Sequence, residues 1–278
     1  MSYPLNSDQM YRMPTHFGPA GGPRQGPDGR RFECKDNPKT LSLAVSFLTD
    51  PVQLAPLLPP GFSLTGEPVV TVAASYMTEI EWLAGRGYNT LGVSFPARFQ
   101  GERDTATGNF LTVLWENLTD PIITGREELG FAKIYCELPE PIVLRGEWHA
   151  TASWLGFRFL DIQIDHLVPQ SPDEIAALAQ APTNDGTLHY KYMPRTGEWG
   201  LPDAAYACLT PAATPNRVIQ KRWTGQGTVA FHPARWEDMP TQYNIVNTFA
   251  ALKILEYRGA SVTQTIGGKD LSDQRILR

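Results

Sequence analysis

Lys133 sits in the run Phe131-Ala132-Lys133-Ile134-Tyr135, among apolar residues where a cation is out of place. If 131–138 is a strand, alternation puts Phe131, Lys133 and Tyr135 on one face and Ala132, Ile134 and Cys136 on the other. A strand that is apolar on both faces is central and buried. An ammonium taken out of water without a counter-charge is disfavoured, and the free amine gains. An ordinary lysine, with a pKa of about 10.4, is neutral in only about one molecule in 2,500 at pH 7. A free amine attacks carbonyl carbon. The alternative is a stem that covers apolar surface while its charged head stays in water. The chain holds seven lysines against seventeen arginines, so the setting of each lysine is informative.

Other chemistries find little support. Gly85-Arg86-Gly87-Tyr88 followed by Gly92 lacks the spacing of a dinucleotide loop and reads as a turn, and no Gly-Lys-Ser or Gly-Lys-Thr phosphate loop occurs. The histidines (16, 149, 166, 189 and 232) never fall three to five apart, so a metal site would need distant segments. No Gly-x-Ser-x-Gly elbow is present. Thr78-Glu79-Ile80-Glu81 places two carboxylates at period two, on one face if the segment is a strand: a solvated edge, or a partly buried acid beside Trp82 and Leu83. Cys34, Cys136 and Cys208 are too widely spaced for a metal or disulfide framework and read as reduced.

The elements that must position these residues are mostly strands. Short β-branched and aromatic segments bounded by turn residues predict strands at 41–48, 68–77, 90–99, 109–116, 131–138, 142–153, 155–168, 187–193, 204–210 and 226–232. Leu160, Ile162 and Ile164 alternate with Asp161, Gln163 and Asp165, as in a half-buried antiparallel strand. Helices are expected at 51–58, behind Asp50-Pro51, and at 172–180, behind Ser171-Pro172. Residues 241–257 fit either a helix or a strand. Residues 1–40, dense in Gly and Pro over 14–30, form an irregular arm, and 41–278 read as one β-rich α+β domain with a few short helices.

Composition narrows the partners. The 278 residues are 42% hydrophobic and 19% charged, with a net charge of -5, which offers no footprint for nucleic acid or an anionic membrane. No apolar run is long enough to span a bilayer, and the start lacks the pattern of a signal peptide, so the expectation is a cytoplasmic protein.

A resemblance joins these residues. Gly125-Arg126-Glu127-Glu128-Leu129-Gly130-Phe131-Ala132-Lys133 resembles the motif of acetoacetate decarboxylases, and the family's nucleophilic lysine falls on Lys133. That family is a standard case of a lysine activated by its surroundings. Residues 45–64 and 67–77, Tyr88-Asn89-Thr90 leading to Phe95-Pro96-Ala97-Arg98-Phe99, and Trp236-Glu237-Asp238-Met239-Pro240 also look like family segments, over roughly 41–260 and outside the arm. The resemblance implies a closed, cone-like antiparallel sheet or barrel with the lysine inside, a homo-oligomer, and a small-molecule carbonyl substrate without cofactor or metal. The departures are specific. The second family lysine is Ile134, the family's two glutamates fall on Thr90 and Ala73, and its arginine before the first strand lands near Thr40.

Imine formation at Lys133 therefore stays supported while decarboxylation of acetoacetate does not. An imine makes the adjacent carbon acidic and the next bond breakable. Other branches of the acetoacetate decarboxylase superfamily carry aldolase–dehydratase chemistry on pyruvate-like oxo acids and also depart from the decarboxylase set, so what the resemblance implies best is that or other lyase chemistry on a small oxo acid. A β-oxo acid decarboxylase and a non-catalytic ligand-binding β-barrel are the alternatives. Glu81, Tyr88 and Glu116 are the candidates for proton transfer or positioning. Arg126, Glu127 and Glu128 read as a salt-bridged turn that fixes the strand.

Overall fold

The computed structural model describes residues 5–179 and 184–278. In chain order it contains β1 (Lys39–Leu48), α1 (Pro51–Leu54), β2 (Phe62–Leu64), β3 (Val69–Thr78), β4 (Tyr88–Gln100), β5 (Thr105–Glu116), α2 (Thr119–Thr124), β6 (Lys133–Tyr135), β7 (Ile142–Leu144), β8 (Glu147–Trp154) and β9 (Phe157–Pro169). There follow α3 (Pro172–Ala179), β10 (Gly186–Pro194), β11 (Pro202–Pro211), β12 (Val218–Phe231), α4 (Tyr243–Ala250), β13 (Glu256–Ile266) and β14 (Arg275–Leu277). The protein is mainly β, and no helix among the described residues is long and apolar enough to cross a membrane.

All strands join one sheet in the order β14-β11-β10-β5-β4-β3-β1-β13-β12-β9-β8-β7, with β2 on β4 and β6 on β5. Two features depart from the expected closed antiparallel cone. The pairing runs as an open path from β14 to β7, and β5 pairs in parallel with both β10 and β6.

Register sorts the side chains onto two faces. One face carries Leu43, Val45, Val72, Ala74, Leu91, Val93, Trp115 and Val262, all fully buried, and is the main core. Burying each such Val or Leu contributes about 1.5–3 kcal/mol. The other face carries small polar residues in cross-strand pairs: Thr263 opposite Ser42, Ser42 opposite Ser75, Ser75 opposite Thr90, and Thr90 opposite Glu116. Leu114 opposite Lys133 continues that face onto β6, and Thr187 opposite Thr210 continues it onto β10 and β11.

Several expectations change. The strand expected over 131–138 shrinks to β6, because α2 and a π-helical turn, Gly125–Leu129, occupy the approach to it. The segment 142–153 is two strands, broken at Arg145 and Gly146, both with positive φ. The segment 78–81 is not extended: β3 ends at Thr78, Glu79 has φ 56°, and Glu81 opens a 3-10 turn, so the two carboxylates do not share a strand face. Residues 241–257 hold both a helix, α4, and the start of β13. The strand expected over 226–232 begins earlier, at Val218, and β2, β13 and β14 were not foreseen. At α3, Ser171 and Glu174 cap each other reciprocally, and residue 180 of the expected helix lies outside the described residues.

Candidate active site

Lys133 opens β6 and is 6% exposed. Its stem is buried by a close approach. A Cβ on Gly125 would lie 2.6 Å from Nζ and closer still to Cδ and Cε, so only glycine leaves room for the lysine there. The π-helical turn that begins at Gly125 ends at Gly130, whose φ of 78° favours glycine. Such turns are frequent at functional sites. Arg126 Nη1 donates to the carbonyl of Lys133 at 2.9 Å, and Gln242 bridges β5 and β6, accepting from the Trp115 indole at 2.8 Å and donating to the Tyr135 carbonyl at 2.9 Å. The backbone that carries the amine is thus held from both sides.

Nζ lies 2.8 Å from Glu116 Oε1, donates to the Pro121 carbonyl at 3.1 Å and stands 5.6 Å above the Phe131 ring. Parallel pairing of β5 with β6 brings the two charges together, since Lys133 is opposite Leu114 and Glu116 shares the face of both. Glu116 is fully buried. Its carboxylate makes the ion-pair contact without hydrogen-bond alignment, and neither oxygen has a hydrogen-bond partner among the described residues. Burial pushes the Glu116 carboxyl above its usual range, and the Lys133 charge opposes that rise. Tyr88 stands on the same face of β4, and burial, reinforced by the Glu116 charge, pushes its phenol up, so it stays a hydroxyl donor.

The structure thus brings Lys133 and Glu116 into contact, sets Tyr88 on the same face of the sheet, and places Glu81 outside that contact, on the turn after β3. Glu81 is about a third exposed, 3.8 Å from Arg30, at the wall of a cavity of about 440 Å³. Tyr88, Thr187 and Thr210 line the same cavity, and arm residues Pro23, Phe32 and Cys34 cover part of it. A larger cavity of about 930 Å³ between α3 and β12 shares none of the lysine's neighbours.

Sequence reading missed three parts of this site. His189, fully buried on β10, stacks on Phe131 with ring centroids 4.2 Å apart. Its Nδ1 donates to the Gly130 carbonyl at 3.0 Å, so the neutral ring accepts at Nε2 from Thr210 Oγ1, 3.1 Å away. Burial pushes the His189 imidazole down to about 4. Period-two alternation within 187–193 could have placed His189 on the face of Thr187, but nothing local pointed to Phe131. Gly125 was quoted only as part of a motif. The arm residues Arg12 and Arg24 were missed as well: both pair with Glu128, so the salt-bridged turn expected within the motif is tied to the arm instead.

Comparison with known proteins identifies the family. The sequence profile described as acetoacetate decarboxylase (ADC) matches residues 12–265. The chain belongs to the acetoacetate decarboxylase family. The match begins inside the arm, which the sequence resemblance had left uncovered. Solved structures of the same fold include the acetoacetate decarboxylase from Legionella pneumophila subsp. pneumophila str. Philadelphia 1, at 19% identity over 91% of this chain and 92% of that one, with a TM-score of 0.64. An acetoacetate decarboxylase-like enzyme from Sphingomonas wittichii RW1 is 18% identical over 87% and 94%, with a TM-score of 0.59. The enduracididine biosynthesis enzyme MppR, complexed with the condensation product of pyruvate and imidazole 4-carboxaldehyde, is 18% identical over 90% and 93%, with a TM-score of 0.57. No curated protein matches this sequence.

Proposed function

We propose that this family member is a lysine Schiff-base lyase acting on a small oxo acid, with aldolase–dehydratase chemistry favoured. The observation that carries the reading is the buried Glu116 carboxylate 2.8 Å from Lys133 Nζ. A proton passed from Nζ to Glu116 turns the buried ion pair into a neutral amine and a neutral acid, and neither state leaves a lone charge in the apolar site. The amine then attacks the carbonyl carbon, and a proton moves from its nitrogen to the new alkoxide to give a carbinolamine. Glu116 returns the proton to the departing hydroxyl, water leaves, and an iminium forms. The resulting carboxylate can remove the α-proton to give an enamine that attacks an aldehyde. The Tyr88 hydroxyl, at the wall of the neighbouring cavity, is suited to donate to an oxygen of the substrate.

Decarboxylation is the second reading, favoured by the family itself and by one position. The two sites where the resemblance expects glutamates, Ala73 and Thr90, lie on the lysine's face of the sheet and carry no acid. Glu116 is the register partner of Thr90, so one carboxylate reaches that face from the adjacent strand. One shuttle serves either reaction, while the absence of the decarboxylase pair favours the aldol route.

Borohydride reduction with a panel of oxo acids, followed by mass spectrometry of the Lys133 peptide, tests imine formation. Absence of any adduct, with Lys133→Ala still binding ligand, leaves a binding protein. Carbon dioxide release from acetoacetate against a new enone absorbance with pyruvate and an aldehyde separates the two enzyme readings.

A further inference from the structure

We propose that Arg12 and Arg24, carried by the N-terminal arm, form the subsite that receives the substrate's carboxylate beside Lys133. The inference deepens the oxo-acid reading above and rests on it for the identity of the ligand. Both guanidinium groups converge on one carboxylate. Arg12 Nη2 is 2.8 Å from Glu128 Oε1, and Arg24 Nη2 pairs with Glu128 Oε2. The three side chains are only 16%, 15% and 12% exposed. Two cations thus share one anion, and one positive charge is left over. Lys133 and Glu116 already balance each other, so the excess belongs to the arginines. Arg12 Nε and Arg24 Nη1 are, moreover, buried without a hydrogen-bond partner among the described residues. Buried donors of this kind are rare in native proteins unless something binds them, and a planar guanidinium matches a carboxylate edge.

Position ties this excess to the amine. Arg12 Nη1 donates to Thr124 Oγ1 at 2.6 Å, and the next residue, Gly125, is the one packed against the end of Lys133. The arginines and the nucleophile therefore flank one turn of helix, and a short oxo acid can present its carbonyl to Nζ and its carboxylate to the arm. In this arrangement Glu128 is the built-in competitor: it holds the arginines in place and gives up part of their hydrogen bonding to the incoming anion.

The test uses the full chain and compares pyruvate with acetone, which has the carbonyl and lacks the carboxylate. Half-saturation for borohydride-trapped adduct at Lys133 is measured for the parent, Arg12→Gln, Arg24→Gln and Glu128→Gln, together with calorimetric binding of pyruvate without borohydride. Each arginine variant should raise the pyruvate half-saturation tenfold or more and leave acetone unchanged, whereas Glu128→Gln should lower it severalfold. If the clamp only fastens the arm, all three variants weaken pyruvate and acetone alike, which overturns the proposal. Unchanged pyruvate behaviour in both arginine variants overturns it too. The two readings fail separately. Arginine-dependent pyruvate binding without any adduct sinks the imine and keeps the subsite, while adducts indifferent to both arginines do the reverse.

Discussion

Gly125→Ala isolates the position of the amine from the stability of the fold. The added Cβ would stand 2.6 Å from Lys133 Nζ, whereas ordinary contact begins at 3.4 Å, so Nζ must give way by about 0.8 Å, the difference of the two, and Cδ and Cε by more. The atoms that must move are the far end of a flexible side chain, and Gly125 has helical φ and ψ of -66° and -38°. Alanine at a helical position is about 1 kcal/mol better than glycine, which offsets part of the cost of parting the buried pair, so the fold should survive with a modestly lowered melting temperature. Catalysis should not survive so well. A displacement near 1 Å breaks the 2.8 Å contact with Glu116 and the 3.1 Å hydrogen bond to Pro121, and misplacement on that scale costs roughly 10²-fold in rate, or about 2.7 kcal/mol. The assay is the initial rate of borohydride-trapped adduct with pyruvate, beside a thermal unfolding curve. A folded Gly125→Ala protein that forms adduct at the parent rate would refute the packing argument, and so would a variant that fails to fold, since the clash would then reach the backbone.

Three further outcomes follow. Glu116→Gln removes the proton acceptor and should slow adduct formation by about 10²- to 10⁴-fold; a rate within tenfold of the parent would move the proton transfer elsewhere. Ile134→Lys should alter that rate less than threefold, because Ile134 lines a cavity with Thr112 and Arg126 on the opposite side of β6 from Nζ; a tenfold gain would contradict the strand-face assignment. His189, depressed from 6.5 to about 4, stays neutral in the fold while the unfolded chain takes up a proton. Stability should therefore be intact above pH 6.5 and fall as the pH drops toward 4, by about 3 kcal/mol at about 1.4 kcal/mol per pH unit. Urea titrations of the parent and His189→Gln across that range should show the smaller decline in the variant, and parallel declines would remove His189 as the cause.

What was legible in the sequence is what alternation encodes. Leu160, Ile162 and Ile164 against Asp161, Gln163 and Asp165 gave β9, and the same period gave β1, β3, β4, β5 and β10 within a few residues. The apolar neighbours of Lys133 suggested burial but left open a stem lying on apolar surface with its head in water. The helical turn ahead of it could not be seen, because Pro121 and two β-branched isoleucines at 122 and 123 argue against a helix that only packing against β5 and β6 makes worthwhile. Pairings across long separations were equally hidden. Arg12 and Arg24 meet Glu128 more than a hundred residues away, and Glu116 reaches Lys133 only because β5 and β6 run parallel.

That last pairing changes the chemistry and not only the geometry. Two apolar strand faces suggested an amine freed by desolvation alone, which would have to exist as free base before substrate arrived. A buried carboxylate 2.8 Å away removes that requirement. In the proposed mechanism the charge pair is mutually compensated, and one proton transfer across a single contact would create the nucleophile together with the acid that later expels water. Burial then has a different task. It raises the proton affinity of Glu116, and with it the share of the neutral pair, without leaving any lone charge in the core. On this account Ile134, in the place of the second family lysine, is no loss: a cation there would point to the other side of β6, while the group that governs the amine comes from β5.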